Sequence, residues 1–346
     1  AVAATLPIVT VSQAGLPEET LMESDKNNWS PRIGLAIRPF GNTNTVIRAG
    51  VGAYTQIWPG LTGTGATGGP WQSTESFNLE NSKLATIRFP APFATTSSFS
   101  GLQSISGLNS HYPNERTYQW NFSVGQQFLG TAIDIGYIGT KALNIPYAEN
   151  LNLLHPSTIA YSDARRPYPR YTGATLTSTG GSSIYHGLTI QADRRIGRSF
   201  IFNANYTWAK SLSDVDLRST SASAQQNQYQ RYLERADDGN IRRQQLRFNY
   251  VYQLPIGRGQ QFLASMGSVP NAILGGWEVV GISTFYTGAR LSPSYSNSDP
   301  ANTNQFSGRP DRVGDGNFDA GEMGDLIRSR QPILDRSAFV LPISGR

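Results

Sequence analysis

The chain has 346 residues, of which only 15% are charged, with 35 Gly, 16 Tyr, 15 Phe and 6 Trp; an ordinary soluble domain carries about 25% charged residues, so the balance is β-rich and aromatic-rich. It has no Cys, which excludes a disulfide framework and a thiolate metal site. The net charge of +5 comes from scattered arginines, including the pairs Arg165-Arg166, Arg194-Arg195 and Arg242-Arg243, and not from a basic stripe, so no nucleic-acid partner is expected.

No apolar run approaches the ~18 residues of a membrane-spanning helix, and the mean hydropathy is -0.36. Strands that cross a membrane hide their hydrophobicity in alternation, so this average does not exclude them. The opening AVAATLPIVTVSQAGLPEE lacks a basic region followed by an apolar one, so it reads as no signal peptide. The chain is then either cytoplasmic or begins downstream of its targeting segment.

In chain order, Ser30–Pro39 and Thr45–Tyr54 read as strands joined near Gly41-Asn42. From Tyr118, large apolar side chains (Tyr118, Trp120, Phe122, Val124) alternate with Gln119, Asn121, Ser123 and Gly125. After a turn near Leu129-Gly130, Ile133, Ile135 and Tyr137 alternate with Ala132, Asp134 and Gly136, which predicts an antiparallel hairpin. The segment GLTIQADRR sets Leu188, Ile190 and Ala192 against Thr189, Gln191 and Asp193. Across Ile196-Gly197-Arg198, Phe200, Phe202, Ala204, Tyr206 and Trp208 alternate with Asn203, Asn205 and Thr207. Leu246–Pro255 and Trp277–Gly288 complete about eight strands; in the last of them either face could be the apolar one.

The connections alternate in length. Short turns contrast with stretches rich in Gly, Ser, Thr, Asn and Pro at 58–115, 142–183, 211–243 and 289–334. Loops that long count against a compact soluble domain, whereas an outer-membrane barrel has short turns at one rim and long loops at the other. A soluble β-sandwich also alternates, with its apolar face innermost. Aromatics near strand ends (Tyr54, Tyr118, Trp120, Tyr206, Trp208), wet faces of Asn, Gln, Ser, Thr and Gly, and one-sided long loops favour the membrane. On that reading Tyr118, Trp120, Phe122, Phe200, Phe202 and Tyr206 lie on a convex, lipid-facing side, with Gln119, Asn121, Asn203 and Asn205 on the concave one.

Several stretches then resemble the Oar-like branch of TonB-dependent outer-membrane receptors: NNWSPRIGLAIRP with VIRAGVGAYTQ, YQWNFSVGQQF with IDIGYIGTKA, YHGLTIQADRRIGRSFIFNANYTWAKSLSD, LRFNYVYQLPIGRG, LGGWEVVGISTFYTG and DRSAFVLP, in that order along the chain. The resemblance implies an all-β fold, an antiparallel transmembrane β-barrel wall forming part of a large barrel of about 22 strands, with long extracellular loops. Residues 1–346 are then one partial transmembrane β-barrel domain. Family members add a signal peptide, a plug, often a carboxypeptidase-regulatory-like domain, and final strands; their lack here implies a fragment, open at both sheet edges and expected to aggregate in water. The implied function is TonB-dependent transport of an unidentified substrate across the bacterial outer membrane, with the loops as substrate mouth. The implied partners are outer-membrane lipid and the TonB complex, through the plug. A surface adhesin or display barrel is the alternative.

Other motifs carry less. Gly63-Thr64-Gly65-Ala66-Thr67-Gly68 has the spacing of a dinucleotide loop but is followed by Gly69-Pro70-Trp71 and no helical period, so it reads as an external loop. Asp315, Asn317 and Asp319 are spaced like the first ligands of a calcium loop, yet Ala320 and Leu326 stand where Gly and Glu belong, with Glu322 and Asp325 as other oxygen donors. His111, His155 and His186 lie far apart with no nucleophile motif. Arg194, Arg195 and Arg198 read as charges at a membrane rim, and the Asn-x-Ser/Thr triplets at Asn28, Asn121 and Asn205 are discounted because two fall in strands. No catalytic, cofactor-binding or metal residue is assigned, no cofactor is expected, and the barrel is read as not an enzyme.

Overall fold

A computed structural model describes residues 12–15, 23, 25–41, 44–57, 103–197, 199–217, 223–224, 226–316 and 334–343. Its strands are β1 (Arg32–Ile37), β2 (Thr45–Gln56), β3 (Gln103–Leu108), β4 (Glu115–Phe128), β5 (Thr131–Asn150), β6 (Tyr171–Ile196), β7 (Phe200–Ser213), β8 (Ser223–Ala224), β9 (Ala236–Asp237), β10 (Gln244–Gln253) and β11 (Glu278–Tyr286). The long strands form one sheet in the order β1-β2-β4-β5-β6-β7-β10-β11, and every pair along that path is antiparallel. The expected contiguous antiparallel sheet is therefore present. Among the described residues β1 pairs only with β2, and β11 only with β10.

Register explains which face is which. One cross-strand row reads Ile37, Ile47, Val124, Ile135, Ile190, Tyr206, Leu246 and Phe285, apolar across the whole sheet. The next row reads Val46, Gly125, Asp134, Gln191, Asn205, Arg247 and Thr284. Side chains alternate with period two, so a slip of one residue by β4, β5, β6, β7 or β10 would put an Asp or Asn on the apolar face, and this fixes their pairing. The register also decides β11: Phe285 opposite Leu246 puts Val279 and Phe285 on the apolar face, leaving Val280 and Ile282 on the other.

Charge is segregated in the same way. On the long strands, up to a bulge at Asn144, Glu115, Asp134, Asp193 and Glu278 all share the wet face, and no carboxylate falls on the apolar one. The apolar face is exposed: Ile33 is 73%, Leu35 58%, Phe122 48% and Phe285 59% accessible. No large side chain among the described residues is fully buried. In a sandwich the same face would be the dry interior.

Tyr54, one of the aromatics near strand ends, lies on the other face. It pairs with Thr117 on the wet face, where the Arg32 guanidinium lies 4.5 Å over its ring.

Turns and loops separate by end, as the antiparallel order requires. The β1–β2, β4–β5, β6–β7 and β10–β11 connections share one end, the last carrying a short helix, α1 (Ser268–Leu274). The β4–β5 turn is Leu129-Gly130 with φ of 47° and 73°, the two-residue geometry whose twist matches flanking strands. The long connections share the other end, and one of them is shorter than expected. β5 runs to Asn150 and β6 starts at Tyr171, which reduces 142–183 to the segment 151–170, and β4 starts at Glu115. A bulge at Asn144, φ 59°, marks where the apolar alternation stops. Beyond it Ile145, Pro146, Tyr147 and Ala148 follow one another without alternation, so the ladder continues without a hydrophobic period. β3 lies parallel to β6 over Tyr171–Thr177, beyond the stretch paired with β7, and occupies ladder positions that would otherwise face water unpaired.

Candidate functional site

The loop end is tied together by side chains acting on backbone. The buried Asn152 amide nitrogen donates to the Tyr168 and Tyr171 carbonyls at 3.1 and 3.0 Å, and its oxygen accepts from the Tyr168 N–H at 2.8 Å. Arg166 donates to the Tyr161 hydroxyl at 2.6 Å and pairs with Asp163 at 2.8 Å. Burial, then the hydrogen bond to Asp163, pushes the Tyr161 hydroxyl pKa up, so it stays a neutral phenol. These contacts close segment 151–170 on itself.

Long-range contacts then join the loops. The Tyr229 hydroxyl donates to the Leu153 carbonyl at 2.7 Å, and its ring stacks on His155 at 3.7 Å between centroids. Ser157 N–H donates to the Ala301 carbonyl at 3.1 Å, and Asn302 returns a bond to the Ser157 carbonyl at 2.8 Å. Arg309 meets Glu234 through both nitrogens, at 2.7 and 3.0 Å. Arg231 pairs with Asp214 at 3.0 Å and lies 4.3 Å over the Tyr147 ring. Between the loops opens a cavity of about 610 Å³ lined by Leu153, His155, Tyr229, Leu233, Tyr295 and Arg309, among others. Its walls are aliphatic and aromatic, with amides from Gln226, Asn227 and Gln230 at hand. Burial, then the charges of Asp299 and Asp311, pushes the Tyr295 hydroxyl pKa up. This size and mixed lining suit a small organic ligand.

The wet face forms a second polar surface. Arg48 and Asp134 approach at 3.5 Å, Gln191 donates to Asp193 at 2.8 Å, Asn203 donates to Asp193, and Asn249 donates to Asn203 at 3.5 Å. One pair thus joins β2 to β5 across β4, and a separate chain of bonds runs from β6 through β7 to β10. Gln119, Asn121 and Asn205 share this face, as expected.

The motif residues do not converge. His111 contacts Glu23 at 2.7 Å, His155 stacks on Tyr229, and the His186 Nδ1 lies 2.7 Å from the Tyr137 hydroxyl. Asp315 pairs with Arg312 at 2.6 Å; Asn317, Asp319, Glu322 and Asp325 lie outside the described residues. So do Gly63 to Gly68, Asn42, Arg198 and most of 58–115. Arg194 is on the apolar face and Arg195 on the wet one. Asn28 bonds the Asp25 carbonyl at 2.6 Å and the Asn114 side chain at 3.1 Å. Among the described residues no group of His, Cys, Asp or Glu is placed to hold a metal. The loop clamps were not read from sequence, because contacts such as Tyr229 to Leu153 join residues far apart in the chain and leave no local period.

Comparison with known families decides what this sheet belongs to: the model for the outer membrane beta barrel domain matches residues 2–346. The chain belongs to that family. The protein is located in the bacterial outer membrane. No curated protein matches the sequence. Solved structures similar to it include the outer membrane transporter YddB from Escherichia coli (12% identity, TM-score 0.39, 65% of this chain and 26% of that one). Others are the alcaligin outer membrane receptor FauA from Bordetella pertussis (14%, 0.31, 67% and 27%) and the siderophore receptor PirA from Pseudomonas aeruginosa (12%, 0.31, 77% and 37%). The barrel sequence thus spans about a quarter to a third of the length of these structures.

Proposed function

We propose that this chain is wall and loop structure of a TonB-dependent outer-membrane receptor of the Oar-like kind, which moves a substrate across the membrane. The apolar face meets lipid, the wet face lines the lumen, and the long loops lie outside as the mouth. The observation that carries the reading is the register: an apolar row runs unbroken across the sheet beside a row that carries Asp134, Gln191, Asn205 and Arg247. An apolar face this large is stable in hydrocarbon and not in water, and a hydrated lumen wall is what a passing polar solute requires. The loop cavity supports capture, since loops tied to each other present a preformed concave surface at lower ordering cost than free chains.

The barrel itself does no bond chemistry in this reading; the driving force enters through a plug moved by TonB. Solute uptake by cells expressing the protein, compared with cells lacking TonB or de-energised, tests the proposal. Uptake that requires both TonB and the proton gradient is expected. Cell or matrix binding through the loops, with no TonB-dependent uptake of any solute, would instead make it an adhesin.

A further inference from the structure

The charges on the apolar face are all cationic, and they sit at its margins. Arg194 lies at the turn end; Lys141 and Lys210 lie at the loop end with His186 beside them, and Arg116 lies further out. Eight residues separate Arg194 from His186, which at ~3.4 Å per residue and a tilt of about 40° is roughly 21 Å of height. The row of Lys141 and Ile184 stands two residues beyond, at about 26 Å, against an apolar band about 25 Å tall. These loop-end cations therefore stand where the hydrocarbon ends.

We propose that Lys141, His186 and Lys210 form a binding site for the phosphate of a phosphorylated lipid in the outer leaflet. The proposal rests on the reading that this face meets lipid and that the long loops lie outside. Lys210 is directly opposite His186, and Lys141 is opposite Ile184, diagonal to His186; such neighbours are about 5 to 8 Å apart, so their flexible ammonium groups can close on one phosphate. Neither lysine forms an ion pair among the described residues, and no carboxylate shares their face below the bulge.

The surroundings shape the patch. Gly139 is opposite both Trp120 and His186, and the Trp120 indole occupies the space where a Cβ would stand. The indole thus meets the His186 ring edge-on at 6.2 Å. The Tyr137 hydroxyl lies 2.7 Å from His186 Nδ1; with the hydroxyl donating, Nε2 carries the proton and is a donor to the phosphate. Trp120 and Tyr137 offer apolar ring surface to the acyl chains and polar edges to the headgroup.

The test uses the protein extracted from outer membranes and delipidated in detergent, titrated with a diphosphorylated, acylated diglucosamine lipid, its dephosphorylated form, or inorganic phosphate. The phosphorylated lipid is expected to bind and raise the unfolding temperature, and the other two to do neither at the same concentration. Lys141→Gln with Lys210→Gln should lower its affinity about thirtyfold, Lys141→Arg with Lys210→Arg should retain it, and both pairs should keep the heat-modifiable folded band. Arg194→Gln, at the far margin, should leave affinity unchanged. Equal binding of the dephosphorylated lipid, competition by inorganic phosphate, or undiminished binding by the Gln pair would overturn the site. A loss that appears in Arg194→Gln and not in the lysine pair would overturn the membrane orientation beneath it.

Discussion

Arginine in place of Ile190 should destabilise the barrel far more than arginine in place of its neighbour Gln191. Ile190 lies between Ile135 and Tyr206 on the apolar face, and four residues from both Arg194 and His186, which bracket that face. At that depth an arginine cannot reach either interface without deforming the bilayer, and midplane Arg on a barrel's lipid face costs about 2–4 kcal/mol. That corresponds to a loss of roughly 30- to 1000-fold in the folding equilibrium constant. Gln191 points the other way, with Asp134 directly opposite and Asp193 accepting its hydrogen bond at 2.8 Å; an arginine there gains carboxylate neighbours in a hydrated setting, so a change within about 0.5 kcal/mol is expected. Urea titration of each variant in lipid vesicles, followed by tryptophan fluorescence and by the heat-modifiable band, measures both. Equal costs at the two positions, or a larger cost at Gln191, would refute the assignment of faces.

Leu129, at φ 47° and 76% exposed, holds a left-handed conformation that costs a branched residue about 1 kcal/mol, so Leu129→Asn should stabilise the hairpin by about that amount in the same titration. Gly139→Val places a branched side chain where the Trp120 ring lies and should cost about 1–3 kcal/mol; the cost should fall when Trp120→Ala is made first, as a double-mutant cycle will read. Arg309→Ala removes both bonds to Glu234, at a cost of roughly 1 kcal/mol, and amide exchange in segments 226–235 and 295–311 should quicken together. The N–H groups of Asn114 and then Asn27 hold the Asp25 carboxyl below its ordinary 3.8. Because the folded pKa is depressed, this tie is complete above pH 3.8 and is lost as pH falls through the lower folded value. Amide exchange at Asn27 and Asn114 should accelerate only in that acid range.

The central sheet was legible because its chemistry alternates with the backbone. Tyr118 to Val124 and Phe200 to Trp208 name their own faces, each being apolar at every second position beside Asn or Gln. β11 was not decidable alone, since Val279 and Phe285 on one parity compete with Val280, Ile282 and Tyr286 on the other; only pairing with Leu246 resolves it. The outer halves of β5 and β6 and all of β3 escaped notice for a related reason. In QSISGL the apolar Ile105 and Leu108 fall on opposite parities, so no alternation marks the strand, and backbone hydrogen bonds leave no trace in composition. The loop cavity was the least legible feature. Asn152, Tyr229 and Arg309 are ordinary loop residues by type, and what makes them a site is their meeting across the chain.

The central claim is that alternate residues of one strand face lipid and water, and the lack of native cysteine allows it to be tested directly. Single cysteines placed in turn from Phe200 to Trp208, spin-labelled in the protein reconstituted in bilayers, report collisions with oxygen dissolved in lipid and with a water-soluble nickel chelate. The account predicts a period of two along β7, with oxygen favoured at 200, 202, 204, 206 and 208 and the chelate at 201, 203, 205 and 207. The opposite phase, or no alternation, would contradict it.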